Sequence, residues 1–354
     1  MPHTSLDVKT RLFKLKQFVT ERWSAPASPV PCILVAQVDP DAVGSAAGLR
    51  YLFKQAFDCA ANICYFGSIS HPQNRAIFNK LDLYRTMRAV SMPEVGSLPL
   101  MLVDSSSLDD ARIGRSDQKT DPVVVIDHHR GATLKDDEKH FIWIDDVGAA
   151  STLVTELIQG ADLAFNEEDS DVALLLALGI YTDTYRLTTA TERDFKAFEW
   201  LRCFFKRDDF NELLNYPLSP AYFRNVQTAL NRQVLSGSRL VATVGRIDPD
   251  EGDDLAIIAD ELIRRTGISL VVVWGLIDGN KVRFSARNMD ISMSLVGFLH
   301  ERFGSGSSGA KLLEGGRGVG GGLITVDLGP LQELPLERRL NIMGELMQDK
   351  VFRE

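Results

Sequence analysis

The chain has 354 residues, with 39 Lys and Arg against 48 Asp and Glu and a formal net charge of −9. With 45% hydrophobic and 25% charged residues, its composition is that of a folded chain and excludes a disordered one, and at about 100–200 residues per domain its length predicts two domains. The acid excess argues against a broad basic face for long duplex DNA, while leaving room for a local basic pocket.

Residues 4–22 predict an amphipathic helix ahead of the first strand. Short, uniformly apolar runs follow at 31–38, 62–67, 99–103, 123–127 and 141–145, as expected of strands buried on both faces of a parallel sheet. Between them, 42–56, 149–159 and 168–178 have helical spacing. This alternation predicts an α/β fold, with a doubly wound parallel sheet in a first domain over 1–205. Residues 206–232, polar and interrupted by Pro217 and Pro220, predict a helix, a break and a helix as a linker. A smaller α/β domain is expected over 233–354, with strands at 239–247, 269–277 and 281–287, helices at 253–266, 292–303 and 332–348, and a glycine-rich stretch at 304–322. No run of about 18 apolar residues predicts a membrane span, and the N-terminus lacks a signal-peptide pattern. Cys32, Cys59, Cys64 and Cys203 form no C-x-x-C pair, so a zinc or thioredoxin motif is not expected. A reducing, cytoplasmic location follows as the expectation, with Cys32 and Cys64 as small buried hydrophobes.

Four signals in the first half carry chemistry: Asp39 and Asp41 in Val38-Asp39-Pro40-Asp41-Ala42-Val43-Gly44-Ser45, Asp104 before Ser105, Asp127-His128-His129 after an apolar run, and Asp183 in Thr182-Asp183-Thr184. Each is expected just beyond a strand, at the sheet edge where ligands of parallel α/β proteins bind. Any one of these acids alone reads as a helix N-cap. Together they would repel one another without a cation to neutralise them, and mixed Asp and His ligation suits a hard or borderline divalent metal.

The sequence Asp39-Pro40-Asp41-Ala42-Val43-Gly44-Ser45, then Val103-Asp104-Ser105, Asp127-His128-His129 and Thr182-Asp183-Thr184 resembles the DHH phosphoesterase superfamily, in the family's order. It is most similar to the oligoribonuclease (nanoRNase) and bisphosphate-phosphatase branch with the DHH-associated C-terminal domain. Gly148-Ala149-Ala150-Ser151-Thr152 and Arg186 agree with it. The resemblance implies a hydrolase with two metals, Mn2+ first and Mg2+, Fe2+ or Co2+ as alternatives. It implies Asp104 as the bridging ligand, Asp41, His128 and Asp183 as completing one site, and Asp39 as holding the other. His129 would face the scissile phosphate, and Asp127 would orient its neighbours.

Two departures stand out. The family's first motif begins with a histidine where this chain has Val35, so one metal site is expected to be complete and the other weakened. In Glu314-Gly315-Gly316-Arg317-Gly318, Arg317 stands where the family's C-terminal domain carries a histidine. Gly315 and Gly316 would let the backbone approach a phosphate, and Arg317 would hold it as a fixed-charge donor that shuttles no proton. Arg287, with Arg283 four residues before it on the same strand face, resembles the family's phosphate-gripping arginine.

The expected substrate is a small phosphorylated nucleotide: a short single-stranded oligonucleotide, a linear or cyclic dinucleotide, or a nucleoside 3′,5′-bisphosphate, cut in a cleft between the domains. A second reading, from Val35 and Arg317, is a protein that binds nucleotide or nucleic acid without cutting it. A third is a pyrophosphatase or exopolyphosphatase. Exposed edge strands leave a homodimer open.

Overall fold

The computed structural model describes residues 5–23, 28–67, 69–91, 94, 99–106, 123–129, 135–277, 279–290, 292–304, 313–314 and 319–353. The apolar runs of the first half form β1 (Cys32–Val35), β2 (Asn62–Tyr65), β4 (Leu100–Val103), β5 (Val124–Asp127) and β6 (Phe141–Ile144), and β3 (Met87–Ala89) joins them. β3 carries no apolar run, so the sequence did not announce it. The strands lie in the order β3-β2-β1-β4-β5-β6, all paired in parallel. Every position of β1, β4 and β5 is buried. Their side chains alternate between two apolar clusters, Ile33, Val35, Met101, Val103 and Ile126 in one and Cys32, Leu34, Leu100, Leu102 and Val125 in the other.

The helices of this part are α1 (Ser5–Trp23), α2 (Pro40–Phe57), α3 (Pro72–Lys80), α4 (Ala150–Gly160), α5 (Ser170–Asp183), α6 (Glu192–Leu201) and α7 (Arg207–Leu214). α2 is buried along most of its length and packs against α4 and α5. α5 is apolar on all sides from Ala173 to Ile180 and wholly buried there, as a helix in the middle of a core must be. The strand order turns back between β1 and β4, and in such sheets ligands bind beyond the carboxyl ends of the strands flanking that point.

The rest of the chain forms α8 (Pro220–Asn231), β7 (Val234–Ser236), β8 (Arg239–Arg246), α9 (Asp254–Leu262), β9 (Leu270–Ile277), β10 (Lys281–Asn288), α10 (Leu295–Phe303), β11 (Leu313–Glu314), β12 (Val319–Thr325) and α11 (Leu336–Phe352). Its sheet has the order β11-β12-β10-β9-β8-β7, with β8 and β9 parallel and the other pairs antiparallel. The chain divides into two compact units, residues 1–69 with 73–216, and 70–72 with 217–354. The division falls between α7 and α8, where Pro217 breaks the helix and Ser219 caps the next one, its hydroxyl accepting from the Tyr222 N–H at 3.0 Å. Part of the glycine-rich stretch is strand rather than loop: Gly320, Gly321 and Gly322 pair with β10. Gly315, Gly316 and Arg317 lie outside the described residues. Among the described residues no helix is long and apolar enough to cross a membrane.

Candidate metal centre

The strand ends supply the first ligands. β5 ends on Asp127, and its neighbour β4 is followed at once by Asp104. Asp104 takes a left-handed backbone (φ 54°), which Asp tolerates better than most residues. Its N–H still donates to the Ile126 carbonyl at 3.0 Å, so the last sheet bond is kept. Beyond β1, Asp39 caps α2, its carboxylate accepting from the Ala42 N–H at 2.9 Å. Pro40 sets the first turn and places Asp41, 1% exposed, against the N-terminus of α4. There Asp41 accepts from the Ala150 N–H at 2.7 Å and the Ser151 N–H at 2.8 Å. Two backbone donors at the positive end of a helix hold its charge and direction.

Asp183 reaches the cluster by a different route from the expected one. It is the last residue of α5, not a residue following a strand. The helical spacing over 168–178 stops short of Asp183, and a helix buried on every side carries no amphipathic period to mark its true end. Gly179 makes the approach possible. A Cβ there would meet the Ser151 hydroxyl and lie 2.8 Å from the Asp41 Cα.

His128 stands at the centre. Its Nε2 lies 3.2 Å from Asp104 Oδ1, 3.1 Å from Asp183 Oδ2 and 3.9 Å from Asp41 Oδ2. Its Nδ1 faces the Val147 carbonyl at 3.3 Å, which assigns the proton to Nδ1 and turns the Nε2 lone pair toward the carboxylates. The ligand atoms of Asp41, His128 and Asp183 lie within 4.8 Å of one another, as do those of Asp104, Asp127, His128 and His129. Yet Asp104 Oδ1, Asp127 Oδ2 and His128 Nε2 are three of the five buried polar atoms that lack a hydrogen bond among the described residues. Orphaned buried atoms concentrated at one point, each with a lone pair to give, fit a cation.

The electrostatics agree. Burial, and then the nearby Asp183, push Asp41 up to about 6, against the opposing pull of His128 and Ser151. Burial, with Asp39, Asp41 and Asp183 around it, raises Asp104 well above the usual carboxylate range. Burial pulls His128 down, but Asp104, Asp183 and Asp41 outweigh it and push the imidazole up to about 12. Without a cation the cluster recruits a proton in its place.

The remaining expected residues are placed as follows. Asp127, fully buried, accepts from the N–H groups of His128 at 2.8 Å and His129 at 3.1 Å, and meets His129 Nδ1 at 2.8 Å. His129 itself is exposed at the rim. Asp39 is in neither ligand group. Arg186 is exposed, in a left-handed turn (φ 60°) between Tyr185 and Leu187, which share that conformation. In the second unit Arg287 is buried and bound to Asp260, through Nε to Oδ1 and through Nη2 to Oδ2 at 3.0 Å. Its Nη1 reaches the Ser285 hydroxyl at 3.0 Å, and Arg283 pairs with Asp253 at 2.6 Å. What residue-type reasoning passed over is the backbone: the N–H groups of Ala150 and Ser151 and the carbonyl of Val147. The only signal for them was the run of small residues Gly148-Ala149-Ala150-Ser151.

Fold and site together define a doubly wound α/β domain with a cluster of Asp and His side chains beyond its strand ends that could hold a metal ion. Residues 32–180 match the model of the DHH family, N-terminal domain. An uncharacterised protein of Methanocaldococcus jannaschii is 28% identical over 165 residues, 46% of this chain and 47% of its own length. A probable manganese-dependent inorganic pyrophosphatase of Streptococcus equi subsp. zooepidemicus is 27% identical over 164 residues, 43% of this chain and 47% of its own. The A-adding tRNA nucleotidyltransferase of Aquifex aeolicus is 32% identical over 178 residues, 49% of this chain but 19% of its own length. The chain thus spans half or less of the curated relatives it matches. Among solved structures, an exopolyphosphatase-related protein from Bacteroides fragilis shares the fold over 97% of both chains, with a TM-score of 0.64 and 14% identity.

Proposed function

We propose that this chain is a divalent-metal-dependent phosphoesterase acting on a small phosphorylated nucleotide, either a short single-stranded oligonucleotide, a dinucleotide or a nucleoside 3′,5′-bisphosphate. The observation that carries the reading is His128 Nε2, buried among Asp41, Asp104 and Asp183 at 3.1–3.9 Å with no hydrogen bond made. Those four residues would hold the cation, with Mn2+ the first to test given the relatives named as probable manganese-dependent pyrophosphatases. Bound there, it would supply Lewis-acid polarisation of a phosphoryl group. The chain's own residues do the rest. The α4 N–H groups hold Asp41, and the Val147 carbonyl holds the His128 ring. Asp127 grips His129 by Nδ1, which leaves His129 Nε2 to meet the phosphate at the rim, where the imidazolium form would give its Nε2 proton to the leaving oxygen and become the neutral ring. Arg186, exposed just after Asp183, adds a donor for phosphate.

The test is Mn2+ binding and hydrolysis of a panel: a 5′-phosphorylated dinucleotide, a cyclic dinucleotide, a nucleoside bisphosphate and pyrophosphate. Asp104→Asn is the control and is expected to remove turnover at least about 100-fold. Turnover of pyrophosphate alone would replace nucleotide by inorganic substrate. Nucleotide binding without turnover in any metal would convert the reading to a binding protein, the outcome that Val35 favours.

A further inference from the structure

Asp194 is fully buried, the third residue of α6, where it closes a capping box with Thr191. A cap needs one bond back to the Thr191 N–H, and Asp194 makes that bond at 2.7 Å, with a second from the Thr191 hydroxyl at 2.7 Å. It also reaches more than forty residues back along the chain. The Gly148 N–H donates to both of its oxygens, at 3.1 and 2.9 Å, and the Thr152 hydroxyl donates at 2.5 Å. All three of these bonds fall on the segment between β6 and the first turn of α4.

That short segment orients two of the metal-centre residues. Its Val147 carbonyl faces His128 Nδ1, and its Ala150 and Ser151 N–H groups hold Asp41. It also abuts a third, because a Cβ on Gly148 would meet the Thr184 methyl, next to Asp183, and lie 2.8 Å from Asp194 Oδ2. We infer that Asp194 is a positioning residue of the metal centre: by pinning Gly148 and Thr152 it sets where the 147–151 segment aims Asp41 and His128. A carboxylate suits this task because it accepts several bonds at once and donates none. An amide in its place would turn an NH2 toward donors.

The inference rests on the reading that the cluster holds a divalent cation, and the test keeps the two apart. Mn2+ affinity of the full chain is measured by titration calorimetry well below its unfolding temperature, with folding checked by circular dichroism. Asp194→Asn is expected to lower the affinity about 10–100-fold. Thr191→Ala removes a hydroxyl from the cap but leaves Gly148 and Thr152 bound to Asp194, so it is expected to lower the melting temperature and leave affinity unchanged. Thr152→Val, nearly isosteric, removes one donor and is expected to cost affinity several-fold, and it carries the test if Asp194→Asn does not fold. The Mn2+ electron paramagnetic resonance spectrum should broaden in the variants that lose affinity. Unaltered affinity in Asp194→Asn, or in Thr152→Val, overturns the positioning role, and so does an equal loss in Thr191→Ala. No Mn2+ binding by the unaltered chain overturns the metal reading itself and this inference with it.

Discussion

Val35 ends β1 at zero exposure, within the apolar cluster that also holds Ile33, Ala42 and Ile126. The resemblance would put an imidazole there, and with it a further ligand beside Asp39 and Asp104. Here Asp39 gives its carboxylate to the first turn of α2 instead. At the residue scale, the described cluster therefore favours one well-held cation around His128. Unaltered protein is expected to bind one Mn2+ equivalent at micromolar metal, as elemental analysis after desalting would count. Val35→His should raise the count toward two, and its unpaired buried imidazole should lower metal-free stability by about 1–3 kcal/mol in urea denaturation. A count still at one would mean that Asp39 is not available to a second ion.

At Gly44 and Gly179, α2 and α5 approach backbone to backbone. A Cβ on Gly44 would lie 2.5 Å from the Leu175 carbonyl oxygen, and one on Gly179 would press on Ser151 and Asp41. Close approach is what lets the C-terminal end of α5 bring Asp183 to the same place as the N-terminal turn of α2. At the element scale, Gly179→Ala should therefore cost about 1–3 kcal/mol of stability and also weaken Mn2+ binding. Gly48→Ala is the contrast. Its Cβ would meet Val154 and Leu176 side chains at 2.8–2.9 Å, two turns of helix away from Asp41, so it should destabilise to a similar degree with Mn2+ affinity intact. Thermal melts paired with calorimetric titration separate the two effects. Equal affinity in both variants would show that helix spacing does not govern the centre.

Each of the two units has apolar clusters of its own, and every residue of the His128 cluster belongs to the first. A ligand that binds only the folded state stabilises it by about 2.7 kcal/mol at one hundred times its Kd. At the scale of the whole molecule, Mn2+ at that excess should slow amide hydrogen exchange in peptides covering 32–41, 101–106, 123–129 and 147–183. Peptides from 217–354 should exchange unchanged. Protection confined to the second unit, centred on Arg287 and Asp260, would move the metal site away from the His128 cluster.

Much of this was legible from residues alone. Uniformly apolar runs betrayed the parallel sheet, because strands buried on both faces leave no room for polar alternation. Paired acids and the His128-His129 step pointed to one acidic cluster that could hold a metal, because like charges do not gather without a counter-charge. Asp41, Asp104, His128 and Asp183 could be named together for that reason. What the sequence by itself determined is thus the set of acids and imidazoles that gather at the cluster and the kind of sheet beside it. The tertiary structure alone decided that Asp183 arrives on a helix, that β3 completes the sheet edge, that Arg287 is bound to Asp260, and that Asp194 and the 147–151 backbone stand behind Asp41 and His128. These depend on groups every residue possesses, or on contacts between residues more than twenty positions apart. A one-dimensional pattern records side-chain type and spacing, and backbone N–H and carbonyl groups acquire direction only when the chain has packed.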